Sequence, residues 1–234
     1  MYTVPDSRET EEKSMRMRVL SAIGAALLCQ PAIALAQMKA AAATYITSEE
    51  VETVNKQPGT DRTIRVLDIG HENFAVGIIH RGPTRAAAGG GAAGGGAGGG
   101  GGTAAAPEPC GEKTSAPPAG TPTGLFHDSQ TEGYYIVSGA GTMVTGGHVV
   151  NGRKSAPGAA VTTTLNGPSC SGSIVGADVV LRDVKAGDII IIPAGVPHGW
   201  TNIPDHVDYL SFRPSQRVLT AGYVHPSIGG SDKK

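Results

Sequence analysis

The chain has 234 residues, 35 of them glycine, with 19 basic against 20 acidic side chains and 17% charged residues overall. Balanced charge argues against a general nucleic-acid binder, which would carry a basic excess or stripe, and low charge argues against a highly charged disordered chain. The glycines show no Gly-X-Y period, which excludes collagen; eleven of them fall between Gly89 and Gly102, so the surplus is partly local.

Residues 1–36 read as an N-terminal extension with a secretory signal. Arg16 and Arg18 form a basic region, Val19 to Leu35 is apolar and small, and Ala34-Leu35-Ala36 before Gln37 fits a small-residue cleavage site. Tyr2 to Ser14 is polar and foreign to such a signal, which makes Met15 and Met17 alternative starts. Cleavage predicts a periplasmic or secreted protein with no stable membrane anchor. It leaves Cys110 and Cys170, an even pair compatible with one disulfide in an exported chain.

Residues 37–62 form an N-terminal arm with one short helix. Thr47 and Glu50 have capping-box spacing, Val51 and Val54 share a face, and Pro58-Gly59 stops the helix. From residue 63 the pattern turns to strands, at Thr63 to Ile69 and Phe74 to His80. Residues 85–120, rich in Gly, Ala and Pro, have almost nothing to bury and read as a disordered insertion. A phosphate-binding reading of the Gly tract fails, because no Gly-Lys-Ser/Thr follows it.

Beyond Leu125, strands are expected at Tyr134 to Val137, Thr142 to Val150, Val161 to Leu165, Ile174 to Leu181, Ile189 to Ile192 and Val207 to Phe212. Glycine turns separate them. The run Ile189 to Ile192 reads as a strand buried on both faces. Many short strands with almost no helix indicate an all-β sandwich or small barrel over residues 63–214. Residues 215–234 form a C-terminal tail.

Two clusters carry chemistry. His127 is followed by four residues and Glu132, then six residues and Gly139. Gly187, Pro193, Gly195, His198 and Asn202 form the second, with five, one, two and three residues between them. These clusters resemble the two motifs of the cupin superfamily: the second matches at every fixed position, and the first matches except that its first histidine falls on Leu125. The resemblance covers roughly Gly124 to Pro214. It implies a double-stranded β-helix, the jelly-roll barrel, with a metal held by His127, Glu132 and His198, and it allows a homodimer. Two imidazoles and one carboxylate suit Fe, Mn, Zn, Co or Ni as divalent ions.

Strand alternation extends the site. If Glu132 faces inward, so does Tyr134, whose phenol is the candidate catalytic group. Trp200 shares the face of His198, and Met143 reads as core filler. Asp128 and Gln130, in the turn after His127, are candidates to replace the missing ligand. His80, His148 and His206 read as surface or core residues, and His71 and His225 as loop residues. No Gly-x-Ser-x-Gly nucleophile elbow occurs. The expected function is a metal-dependent enzyme acting on a small organic molecule, dioxygenase-like or a lyase or isomerase. The alternative is a barrel that binds a small ligand without turnover.

Overall fold

A computed structural model describes residues 43–84 and 108–229. The signal reading of residues 1–36 and the Gly/Ala tract of residues 85–107 lie outside the described residues. Among the described residues, no helix is long and apolar enough to cross a membrane.

The chain opens with the expected helix, α1 (Ser48–Asn55). Thr47 caps it: its hydroxyl accepts from the Glu50 amide, and the Glu50 carboxylate accepts from the Thr47 amide. These reciprocal bonds satisfy two amide donors that the first turn cannot pair internally. Val54 is the fully buried residue of α1 and packs with Ile64, Val76, Ile78 and Ile228.

Among the described residues eleven strands follow: β1 (Asp61–Asp68), β2 (Asn73–Arg81), β3 (Pro109–Cys110), β4 (Thr123–His127), β5 (Glu132–Thr145), β6 (His148–Lys154), β7 (Ser169–Val175), β8 (Val180–Lys185), β9 (Ile189–Ile192), β10 (His198–Asn202) and β11 (Val207–Pro214). All pair antiparallel. One sheet has the order β1-β2-β11-β5-β9 and the other β3-β6-β7-β4-β10-β5-β8. This is the all-β, double-stranded β-helix architecture that the motifs imply.

The 14-residue β5 belongs to both sheets. Its first part pairs with β9 and β11, and its second part, from Ala140, with β8 and β10. The bend falls at Gly139, where φ is +71° and an added Cβ would collide with the His206 carbonyl oxygen. The motif glycine is therefore required by the crossing itself. Between the sheets lie Ile79, Tyr134, Ile136, Met143, Val184, Ile192, Trp200, Ile203, Val207 and Tyr209.

The structure corrects four strand expectations. Thr142 to Val150 is divided between β5 and β6 by the turn at Gly146 and Gly147, which have φ +82° and +66°. Val161–Leu165 is a π-helical turn, not a strand. Its threonines favour a strand by branching, but Thr162, Thr163 and Thr164 turn their hydroxyls onto the carbonyls of Ala156, Ala159 and Ala160, which supports the helical turn instead. The expected strand Ile174 to Leu181 is split between β7 and β8 at Gly176, which has φ +137°. Ile189–Ile192 is a strand, but Ile189 and Ile191 are 70% and 66% exposed while Ile192 is buried. Side chains alternate along the strand, so Ile190 and Ile192 face the interior while Ile189 and Ile191 lie on the face that nothing among the described residues covers.

The reading of residues 85–120 as a disordered insertion is corrected over its last part, where residues 108–112 run along the second sheet. Pro109 and Cys110 pair with Arg153 and Gly152, Glu112 exchanges backbone bonds with Val149 and Asn151, and Cys110 forms a disulfide with Cys170.

Candidate metal centre

His127 is the last residue of β4, Glu132 the first of β5, and His198 the first of β10. The four-residue turn between His127 and Glu132 returns the chain so that both side chains face the barrel interior. Gly195, at φ +80°, donates its amide to the His127 carbonyl at 2.8 Å and ties the second motif to the end of β4. His198 follows in register opposite Leu125 and Thr145.

The three side chains converge. One ligand atom from each lies within 4.8 Å of the others, and all three residues are buried. His127 Nε2 is 3.3 Å and His198 Nε2 3.1 Å from the same oxygen, Glu132 Oε2. The imidazole centroids are 5.4 Å apart. Among the described residues this is the one group of three or more such side chains so disposed.

The donor set fits a divalent transition ion. Bonds of about 2.0–2.2 Å to N and O ligands place donor atoms roughly 3 Å apart around one ion, close to the spacing found here. His127 is only 3% exposed, yet neither ring nitrogen has a hydrogen-bond partner, because its approach to Glu132 lacks hydrogen-bond geometry. A buried, unpaired imidazole costs about 1–3 kcal/mol, and a ligated ion would satisfy it. His198 is already oriented: its Nδ1 meets the Val196 carbonyl at 3.0 Å, leaving Nε2 toward Glu132.

Glu132 is the electrostatic centre. Burial alone would push its carboxyl up, but the Arg213 guanidinium and the facing imidazoles outweigh that and hold it well below the usual carboxylate range. Arg213 Nε and Ser211 Oγ donate to Oε1. Tyr134 donates its phenol proton to Oε2 at 2.5 Å. Burial first, and then the Glu132 charge, raise the Tyr134 phenol well above its ordinary value. The group is thus a hydrogen-bond donor and a held proton, not a phenolate.

Tyr134 therefore sits where strand alternation puts it, against the candidate ligands. Trp200 is buried on the same side as His198 and stacks toward Tyr209 at 5.6 Å; Met143 is core. Asp128 and Gln130 do not join the cluster. Asp128 is exposed and paired with Lys154. Gln130 is buried, but its Oε1 packs over Gly167, 2.9 Å from where a Cβ would stand. His80 bonds Asp208, His206 bonds Asp205 and Ser138, His148 pairs with Glu112, His71 with Glu72 and His225 with Ser227. Sequence reasoning missed Arg213 and Ser211, which bond Glu132, and Asp61, which bonds Arg213. The alternation Val207-Tyr209-Ser211-Arg213, in phase with the buried apolar residues of β11, is the signal that points to two of them.

No protein-family model matches the chain, and no curated protein matches it in sequence. Similar solved structures include an uncharacterized conserved protein with a double-stranded beta-helix domain from Klebsiella pneumoniae (16% identity, 75% of this chain and 94% of that one, TM-score 0.35). A protein from Bacillus halodurans is 14% identical over 80% of this chain and 92% of its own, with a TM-score of 0.38. An oxalate oxidase is 15% identical over 82% of this chain and 70% of its own, with a TM-score of 0.32.

Proposed function

We propose that the chain is an exported metal protein of the cupin type, in which His127, Glu132 and His198 hold Fe, Mn, Zn, Co or Ni as a divalent ion and the site transforms a small organic molecule. The leading chemistry is dioxygenase-like oxidation, with lyase or isomerase chemistry beside it. The observation that carries this reading is the convergence of three buried donor atoms around a histidine whose nitrogens have no other partner.

When bound, such an ion supplies Lewis acidity and, if redox-active, electron exchange with oxygen. The chain supplies the rest. His127 and His198 would supply nitrogen donors, and Glu132, held well below the usual carboxylate range by Arg213 and the facing imidazoles against the upward push of burial, is the anion. Tyr134 keeps its proton at Oη and donates it to Glu132 Oε2, which steadies the carboxylate and leaves the phenol oxygen as an acceptor toward a substrate. Trp200, Tyr209 and Ile136, buried around this group, exclude water from one side.

The test is metal analysis of the mature chain after loading with each ion in turn, alongside His198→Ala. Stoichiometric metal in the native chain and its loss in the variant are expected; sub-stoichiometric metal in both overturns the reading. An oxygen-consumption screen on the loaded protein then separates oxidation from the other chemistries. N-terminal sequencing of exported protein is expected to begin at Gln37, and retention of residues 1–36 contradicts export with cleavage.

Leu125 favours a second reading. An apolar side chain opposite His198 removes one ligand and suits a barrel that holds a small molecule without turnover. That reading predicts ligand binding that persists without metal and survives His198→Ala.

A further inference from the structure

The two oxygens of Glu132 have separate partners. Oε1 accepts from Arg213 Nε and from Ser211 Oγ, the latter at 3.3 Å. Oε2 accepts from Tyr134 and faces both histidine Nε2 atoms. A carboxylate offers about four lone-pair directions. Two are used at Oε1 and one by Tyr134, so the remaining one, at Oε2, faces the histidine pair.

Arg213 cannot follow Glu132 if the carboxylate turns. Its Nη2 is bound to Asp61 Oδ2 at 2.7 Å on β1, and its Nη1 to the Leu165 carbonyl at 3.3 Å in the π-helical turn. The guanidinium is thus pinned to three elements and fully buried. Releasing Oε1 would leave a buried cation short of a partner, which is strongly unfavourable.

We propose that Arg213, with Ser211, is a positioning residue that restricts Glu132 to one-oxygen coordination, so that the protein gives a bound ion three donor atoms and no more. This rests on the metal-centre reading above. For an ion that prefers octahedral geometry, three donor atoms leave about three positions for water or substrate, where a two-oxygen carboxylate would leave about two. The pinned arginine therefore keeps one further position open to a ligand.

The test uses the full mature chain loaded with Mn(II). Exchangeable waters are counted by pulsed electron paramagnetic resonance in isotopically labelled water. The native protein is expected to show about three waters, and the double variant Arg213→Gln/Ser211→Ala one fewer, as Oε1 turns onto the metal. Arg213→Lys, which restores a cation facing Oε1, is expected to recover the native count. Equal counts in native and double-variant protein, both folded by circular dichroism and both loaded, overturn the proposal.

A second measurement needs no variant. Isotope-edited infrared spectra of native protein with labelled glutamate are expected to show the wide carboxylate splitting of one-oxygen coordination on loading. A narrow, two-oxygen splitting overturns the proposal even if the double variant fails to fold. Failure of the native chain to bind metal at all refutes the metal-centre reading, whereas metal bound through both oxygens refutes only the role of Arg213.

Discussion

Leu125 and His198 face each other across β4 and β10, and they form the one register pair between those strands. Leu125 lies two residues before His127 and so shares its face of β4. An imidazole at this position would stand beside the three existing donors. Leu125→His is therefore expected to tighten metal binding by about tenfold or more, equivalent to roughly 1.4 kcal/mol. Competition against a chromophoric chelator measures it. Unchanged affinity would mean that the residue 125 side chain does not reach the ion.

The buried Arg213 sits between two carboxylates, the buried Glu132 and the partly buried Asp61. Removing one member of a buried ionic network costs about 3–5 kcal/mol, because the partners keep their desolvation without their counter-charge. Arg213→Met is expected to lower unfolding free energy by about that amount in urea titrations. Adding Glu132→Gln should recover part of the loss, since a neutral amide no longer needs the cation. Strictly additive losses would contradict the coupling.

Alkaline pH tests the buried phenols. Burial and the Glu132 charge raise Tyr134 well above 10.0, and burial raises Tyr209 against the opposing pull of Arg81. A phenol raised in the fold keeps its proton longer there than in the unfolded chain. Its stabilising contribution is fully present below the unfolded value and is lost as pH rises through the folded one. Stability is thus expected to fall progressively above about pH 10. Tyrosinate absorbance should show a late fraction that appears only with unfolding and that shrinks in Tyr134→Phe. Titration of all phenols in one step near 10.0 would contradict this.

The disulfide joins residues 60 positions apart. Closing a loop of that length restricts the unfolded chain by about 4 kcal/mol in the chain-entropy account. Cys110→Ser/Cys170→Ser is expected to lose stability of that order. Because Cys110 also lies in the strand that pairs with β6, amide exchange should rise first at residues 109–112. Uniform loss of protection across the sheet would argue that these backbone bonds do not depend on the bridge.

What could be read in the sequence follows from what is local. The capping box at Thr47 and Glu50, the Gly turns and the period-two placement of Tyr134 and Trp200 each depend on a few adjacent residues, and each is found as expected. The spacing of the two motifs brought His127, Glu132 and His198 together although 71 positions separate His127 from His198, because spacing encodes where strands begin. Arg213 was hidden for the opposite reason. A charged residue in a strand reads as facing solvent, and only the folded chain places Glu132 and Asp61 on either side of it. The four isoleucines of β9 misled in the same way: apolar character does not reveal that only one face of a strand is covered.

The bend of β5 at Gly139 has a consequence for cooperativity. A strand shared by two sheets cannot leave one without straining the other, so neither layer has an opening of its own. Hydrogen exchange along Glu132–Ser138 and along Ala140–Thr145 should report one common free energy, equal to global unfolding. The candidate ligands are attached to that shared unit. Glu132 is its first residue, and His198 pairs with its last, Thr145. The geometry of the centre would then persist unchanged up to the transition at which the whole barrel is lost, with no partly folded state in which a bound ion meets only two of its three donors.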